Sequence, residues 1–413
     1  MYDICIIGGG ASGIACAITA ARSGLSCIII EKEAKLGKKI YATGNGRCNI
    51  TNHSFDDDYS LYYNSEYYDY EAFLKSVFEN KNPDKEIIDF LYSIGIVTYD
   101  IDNYVYPHSL QSSSVMWALN DELTESDVKT LLKTCALEIS TNDGIYIIKT
   151  QNEQIEALNV VLACGGASYA NLGGSDKGYK LAESLKLQLT DIRPSLCGLV
   201  TEEDISSLSG VRVKSKATLF SENGNQICNE EGELQFTDYG ISGIMTFNLS
   251  GKVGRMISNS EKPYVMIDFL SDISDEAIYS AFEKGKKRKA KAVLNNFIND
   301  KLAGFVIDNT NLNAEIYSNN YTEDNISALI YALHNFKLEI KELRNFDNAQ
   351  VTSGGISLDI INPSDMSIKD MPGLYAIGEL TDIDGICGGY NLTYAIISGI
   401  RAGKGIYDKI KSD

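Results

Sequence analysis

Apolar positions in this chain cluster in short runs separated by glycine turns. Tyr2–Ile7 (YDICII) and Ser26–Ile30 (SCIII) are β-branched runs that predict strands; between them stand a GGGASG turn and the helix-forming stretch ITAARSG. A third run centred on Val160, Val161 and Leu162 reads as a buried strand ending in Ala163-Cys164-Gly165-Gly166, and a fourth, Leu374–Ile377, precedes Gly378-Glu379. The pattern differs in the middle of the chain. Residues 196–270 show short apolar alternations broken by glycines and by Glu222-Asn223-Gly224, which is hairpin chemistry and predicts a small β-barrel or sandwich. Residues 275–300 and 322–336 read as helices, the second with an N-cap signal and apolar spacings of three and four. Residues 335–343 read as a returning strand. Pro194 marks the exit from the first region and AQVTSGG (349–355) the return to it. A helix with the small-residue pattern Ala395, Ser398, Gly399, Ala402, Gly403 closes the chain.

The first turn carries the earliest chemical signal. Gly8, Gly10 and Gly13 stand between a strand and a helix. In that setting Gly8 permits the turn, Gly10 lets backbone approach a pyrophosphate and Gly13 lets the helix pack closely on the strand. The helix N-terminus, beginning at Ala11 and Ser12, offers free N–H groups to the phosphates. Glu31 ends the second strand eighteen residues after Gly13, close to the spacing at which a carboxylate meets a ribose diol. An acid there favours a free 2′-hydroxyl, as in FAD or NAD, and does not divide the two. Three later segments bear on that division. Lys38 and Lys39 lead into a polar loop, Gly44-Asn45-Gly46-Arg47-Cys48-Asn49, which reads either as a solvated turn or as a lining for a phosphate or ribityl chain. Gly165-Gly166 marks a close backbone approach or a tight connection. Glu379, Asp382 and Asp384, followed by Gly388-Gly389-Tyr390-Asn391 and a helix, suit a ribityl hydroxyl and the O2/N1 edge of an isoalloxazine, where negative charge accumulates on reduction. NAD needs no such second region. The longer FAD does.

Composition narrows the setting. Acidic residues outnumber basic ones 56 to 37, a net charge of −19 in 413 residues, so nucleic-acid backbones and anionic membranes are repelled on average. Three histidines, His53, His108 and His334, lie far apart, and none of the nine cysteines forms a CxxC pair; no metal site or disulfide framework is indicated. The N-terminus lacks the basic region of a signal peptide, and no apolar stretch approaches the ~20 residues of a membrane helix. We expect a cytoplasmic protein acting on a small molecule, with no nucleic-acid or membrane partner. Cys48 and Cys164 are expected to be inert thiols. The basic cluster at 284–291 reads as a solvated helix face, an NADPH-phosphate or acidic-partner contact being the alternative. The Tyr- and Asp-rich stretch 56–73 reads as the cover of an exposed helix, or else as a substrate entrance.

Longer segments carry a resemblance. GGGASG (8–13), GKKIYATGNGRCNITN (37–52), YVYPHSLQSSSV (104–115), ACGGASY (163–169), GELQFTDYGISG (232–243), VTSGGISL (351–358) and GELTDIDGICGGYNLTYAIISGIRAG (378–403) resemble the three-domain bacterial NAD(P)/FAD-dependent oxidoreductases of the aminoacetone oxidase-like or bile-acid-inducible reductase-like type, relatives of the fumarate-reductase flavoprotein fold. The resemblance spans nearly the whole chain. It implies an α/β fold with a Rossmann-like FAD-binding domain in two segments, 1–193 and 346–413. Inserted between them would be a β-rich domain (194–270, with a returning strand at 335–345) and a small helical domain (271–334). FAD would be held by the first, second, fourth and last of these segments, with Glu31 on the adenosine ribose. The chain departs from the family where Asp238 replaces a usual histidine, Ile244 a usual proline and Thr381 a commoner apolar residue.

The candidate cofactor shell therefore comprises Gly8, Gly10, Ala11, Ser12, Gly13, Glu31, Lys32, Lys39, Gly44, Asn45, Gly46, Arg47, Cys48, Asn49, Leu137, Ala163, Gly165 and Gly166. From the C-terminal segment it includes Gly378, Glu379, Asp384, Gly385, Gly388, Gly389, Tyr390, Asn391 and Leu392. Thr237, Asp238 and Tyr239 are candidate substrate-facing groups. The expected function is FAD-dependent hydride transfer through flavin N5, with NAD(P)H as the reductant that the resemblance implies. An oxygen-using flavin oxidase or monooxygenase and a flavin-bearing regulatory or RNA-modifying protein are the alternatives.

Overall fold

The computed structural model describes residues 1–55, 59–63, 69–79 and 81–412. These form two compact units, one of residues 1–193 and 350–413 and one of residues 194–349.

The first unit is built on a seven-stranded sheet. Strand β1 (Tyr2–Ile7) lies parallel between β2 (Cys27–Ile30) and the strand Gln154–Leu162; Lys129–Leu131 extends the parallel part beyond β2, and Leu374–Ala376 pairs with the last residues of Gln154–Leu162. Helix α1 (Ala11–Arg22) joins β1 to β2. The central strands are apolar without alternation because both their faces are covered: Ile4, Cys5 and Ile6 are wholly buried, as are Val160, Val161 and Leu162. The hairpin Ala136–Asn142 with Ile145–Thr150 continues the sheet in antiparallel sense; Ile145–Thr150 alternates buried with more exposed positions, and the edge strand Ala136–Asn142 buries only Ile139.

The second unit is a closed six-stranded barrel whose strands include Arg212–Phe220, Gln226–Phe236, Tyr264–Asp268 and Phe336–Leu343. The helices between Asp275 and His334 share its core: Ile278, Phe282, Leu302 and Leu329 are buried in one cluster with Phe236, Val265 and Leu338. The expected N-cap of the last of these helices is present as a reciprocal pair, Thr322 accepting from the Asn325 N–H and Asn325 accepting from the Thr322 N–H. One helix falls where strands alone were expected. Ile244–Ser258 buries Met245, Leu249, Val253 and Met256 along one face, a helical spacing masked by β-branched residues and two glycines. The Tyr- and Asp-rich stretch is likewise not an exposed cover where it is described: Tyr59, Tyr62 and Phe73 belong to the core. Residues 56–58 and 64–68 of that stretch lie outside the described residues.

Candidate functional site

Strand register brings the candidate residues of the first unit to one edge. Ile7 pairs with both Ile30 and Leu162, and Leu162 pairs with Ala376. The chain therefore leaves the sheet side by side at Gly8, Glu31, Ala163 and Ile377, at the carboxyl ends where open α/β sheets bind ligands.

The three motif glycines occupy two kinds of environment. A β-carbon on Gly8 would stand 2.2 Å from the Ala163 carbonyl oxygen, and one on Gly13 would stand 2.1 Å from the Gly8 carbonyl oxygen, so both are fixed by backbone packing. A β-carbon on Gly10 would meet nothing within 4 Å. Its φ of −84° is open to any residue, so neither strain nor packing requires glycine there. What remains is close approach by a ligand at the N-terminus of α1.

Glu31 is held in place by its own turn. One carboxylate oxygen accepts from the Gly9 N–H at 2.7 Å and the other from the Glu33 N–H at 2.7 Å, which leaves lone pairs for a ribose diol. The connection after Lys129–Leu131 runs alongside, the Thr134 N–H donating to the Glu31 carbonyl and the Lys133 N–H to that of Glu33. This segment, not Leu137, is what reaches Glu31: Leu137 lies on an edge strand at a register shift between Ala136 and Glu138 and is 56% exposed. Lys32 and Lys38 both pair with Glu33 at 2.9 Å, and they hold its carboxyl below the usual range. Glu31→Ala is expected to retain the fold and to lower FAD occupancy at least tenfold, read from the visible absorbance of the purified protein; unchanged occupancy would remove the ribose assignment.

Further along the same edge four distant segments meet. Lys39 pairs with Glu379 at 2.8 Å, and the Thr352 N–H donates to Glu379 at 3.0 Å. The Thr352 hydroxyl in turn accepts from the Ser168 N–H at 3.0 Å. A β-carbon on Gly166 would collide with both Thr352 and Glu379, so that glycine is required by the polar cluster itself. Thr352 and Ser168 were not singled out from the sequence, although the doubled glycine of VTSGG was the available signal. In the polar loop, the Asn49 side-chain oxygen is buried with no hydrogen-bond partner, an acceptor that awaits a donor from outside the chain. Burial pushes the Cys48 thiol up to about 11 and that of Cys164 to about 12, so both stay neutral, and all nine cysteines are free.

The closing helix, Tyr390–Ser412, docks onto the opening turn. A β-carbon on Gly399 would stand 2.2 Å from the Ser12 carbonyl oxygen, and one on Gly378 would stand 2.6 Å from the Ser12 hydroxyl, while the Gly378 N–H donates to Ser398. At the N-terminus of this helix, Gly389 packs on the backbone of Thr51, whose hydroxyl accepts from that of Thr393 at 2.8 Å. The side chain of Asn391 is turned back onto Gly385, accepting from its N–H and donating to its carbonyl, so it shapes the loop. Asp384 is buried and accepts from the Ser353 hydroxyl. Tyr390 departs from the expectation: its ring is 3% exposed among Phe55 and Tyr62, and its hydroxyl donates to the Ser54 carbonyl, so the side chain is core.

Thr237, Asp238 and Tyr239 belong to the second unit. They form a turn in which Thr237 donates to the Gly240 carbonyl, Asp238 is exposed, and the Tyr239 ring lies 4.2 Å from the Arg344 guanidinium. The basic cluster lies mostly in the turn between the helices Asp275–Lys284 and Ala290–Leu294 and not on one continuous helix face as expected; Lys286, Lys289 and Lys291 pair with Glu283, Glu315 and Asp300.

An unpartnered buried acceptor, an unobstructed Gly10, an acid oriented by its own turn and a glycine-led helix terminus fit an FAD. A two-segment Rossmann unit with this site defines a flavoprotein oxidoreductase. The chain belongs to the HI0933-like family, whose Rossmann-domain model matches residues 2–405, and it is an FAD-dependent enzyme. It is 34% identical over 98% of its length to a 3-dehydro-bile acid delta(4,6)-reductase of Clostridium scindens, 98% of which is covered. It is 27% identical to a ribosomal RNA dihydrouridine synthase of Haemophilus influenzae, over 94% of each chain. Its fold is similar to that of a flavocytochrome c3 fumarate reductase, with a TM-score of 0.50 and 14% identity, covering 98% of this chain and 78% of the other. No described helix is long and apolar enough to cross a membrane.

Proposed function

We propose that this enzyme reduces a carbon–carbon double bond conjugated to a carbonyl in a small organic molecule, with NAD(P)H as the source of electrons. The observation that carries this reading is the full-length likeness to the bile-acid reductase, whose name describes double bonds conjugated to a 3-oxo group. The dihydrouridine synthase points to the same bond chemistry, because saturating uracil C5=C6 reduces an alkene conjugated to the C4 carbonyl. The net charge of −19 favours the small molecule over ribosomal RNA, whose binding calls for a cationic surface.

FAD, when bound, supplies hydride transfer at N5. The chain's part is to hold and polarise it. Glu31 would take the adenosine ribose, and the Lys39–Glu379 pair with Thr352 would face the ribityl region. The N–H groups at the start of Tyr390–Ser412 would stabilise the negative charge of the reduced ring.

Anaerobic mixing of the purified holoenzyme with NADH and then NADPH tests the reductant: one of them is expected to bleach the flavin band. Adding a 3-oxo-4,6-diene bile acid is then expected to restore the band with a product heavier by two hydrogens. Bleaching by neither nucleotide refutes the reductant, and reoxidation by oxygen alone, with peroxide released, favours an oxidase. Ribosomal RNA is the second substrate to try, in view of the second relative; dihydrouridine formed at turnover rates would reverse the ranking.

A further inference from the structure

Beside the cofactor shell, β3 (Thr51–Asn52), Tyr104–Pro107 and Thr98–Ile101 form a three-stranded antiparallel sheet. Alternation sends Thr51 and Val105 into the core, both fully buried. The register sets Tyr104 between Asn52 and Ile101, and Tyr99 directly opposite Tyr106, so these five side chains share the other face. The His108 N–H extends the ladder to the carbonyl of Val97, which is 54% exposed; Tyr99 is 48% exposed and Tyr104 38%. An open sheet face ordinarily carries polar residues; here Asn52 is buried at one edge and the exposed part is made by Tyr99, Tyr104 and Val97.

The ends of this face touch residues already placed at the cofactor. A β-carbon on Gly388 would stand 3.2 Å from the Tyr104 ring and 3.4 Å from the Asn52 amide nitrogen, and one on Gly44 would stand 3.6 Å from the Tyr106 ring. Asn52 also donates to the Gly388 carbonyl at 3.3 Å. Arg47 lies close enough to Tyr106 to oppose the upward push that burial and Tyr104 give its phenol. The face thus runs without a break from the polar loop to the turn that starts the closing helix.

We propose that this tyrosine face is the substrate platform and that it takes a flat, largely apolar fused-ring enone. This rests on the enone reading above and names its substrate class. Neighbouring strands stand about 4.8 Å apart and alternate residues of one strand roughly 7 Å apart, so Tyr99, Tyr104 and Tyr106 offer more area than a single six-membered ring covers. Their ring faces attract apolar and π surface without demanding specific hydrogen bonds. Continuity with the Gly388 turn is what commits the occupant: a molecule lying here abuts the end of the site assigned to the isoalloxazine.

The test uses flavin-loaded wild type, Tyr99→Ala, Tyr104→Ala and Tyr104→Phe, each checked for FAD content and melting. The oxidised proteins are titrated with a 3-oxo-4,6-diene bile acid and with cyclohex-2-enone, following the perturbation of the flavin band, and steady-state reduction of both is then measured. The alanine variants are expected to raise the Kd and KM for the tetracyclic enone five- to twentyfold, with kcat changed less than twofold. That loss should exceed the loss for cyclohex-2-enone at least fivefold, and Tyr104→Phe should retain wild-type affinity. A wild type that binds the tetracycle while the alanine variants bind it within twofold overturns the platform and leaves the enone reading standing. Equal losses for both enones, failure of wild type to bind the tetracycle, or an effect confined to ribosomal RNA modification also overturns it. Binding of the tetracycle without reduction of either enone, in a holoenzyme that accepts electrons, overturns the enone reading itself.

Discussion

Gly10→Val is expected to give a protein that folds and melts like flavin-free wild type but purifies colourless. The argument rests on separating two reasons for a glycine. Gly8 and Gly13 are closed in by backbone oxygens at 2.2 and 2.1 Å, so a side chain at either disrupts the packing of strand against strand or of helix against turn. Gly10 has open space around its missing β-carbon and an ordinary φ, so valine is accommodated in the chain without its ligand. The valine methyls would then occupy the space into which a pyrophosphate must come to reach the N–H groups of α1. Loss of that approach should weaken FAD binding at least a hundredfold, which corresponds to about 2.7 kcal/mol. Flavin absorbance of the purified variant, an FAD titration and a thermal melt provide the three readings. A yellow Gly10→Val protein of normal affinity would place the pyrophosphate elsewhere, whereas a colourless and unfolded one would refute the packing argument.

The same contrast marks what is legible in the sequence. The β1 turn, α1 and β2 are visible because the glycine spacing and the apolar runs that signal them fall within one short window, although Gly8 also packs on Ala163 and Ser12 on Gly399, and the position of Glu31 follows from counting along that unit. The barrel is visible in outline through its alternations and the Glu222-Asn223-Gly224 turn. Helix Ile244–Ser258 was hidden because β-branched Ile244, Thr246, Val253 and Ile257 and the glycines Gly251 and Gly254 are interspersed with its Met and Leu positions, and it takes the barrel core to choose between the two periods. Contacts between distant segments are hidden for another reason. Lys39 and Glu379 are separated by 340 residues, and Ser168 and Thr352 by 184, so no window of sequence holds both partners. Leu137 and Tyr390 show the converse error. Each stands in a segment that adjoins the site, but a register shift at Leu137 leaves its side chain exposed and an aromatic cluster turns the Tyr390 ring inward.

Arg401→Met carries the largest stability loss we expect, about 3–5 kcal/mol by chemical denaturation, the usual cost of breaking a buried ion pair from one side. Arg401 is 2% exposed on the closing helix. Its guanidinium donates both terminal nitrogens to Glu86, at 2.6 and 2.7 Å, and its Nε–H to the Val77 carbonyl at 2.7 Å, which pins the helices Tyr70–Val77 and Pro83–Ser93 to the segment that carries Gly388 to Leu392. Methionine fills the volume but leaves the Glu86 carboxylate without its fork, Lys404 at 3.6 Å being the remaining cation and Glu79 a like charge nearby. The pH dependence distinguishes this cause from simple loss of packing. Burial pushes the Glu86 carboxyl up, and Arg401 with Lys404 more than reverses it, leaving the carboxyl below its ordinary value. A depressed carboxyl contributes stability that is fully present above the unfolded value of roughly 4.3 and is lost as pH falls through the folded value. In Arg401→Met the upward pushes of burial and of Glu79 are opposed only by Lys404, so protonating Glu86 relieves the variant while it costs the wild type. The gap in unfolding free energy between the two should therefore narrow as pH falls from 7 towards 4, and a second substitution, Glu86→Leu, should recover much of the loss at neutral pH. A gap that stays constant across that range would assign Arg401 to packing rather than to its charge.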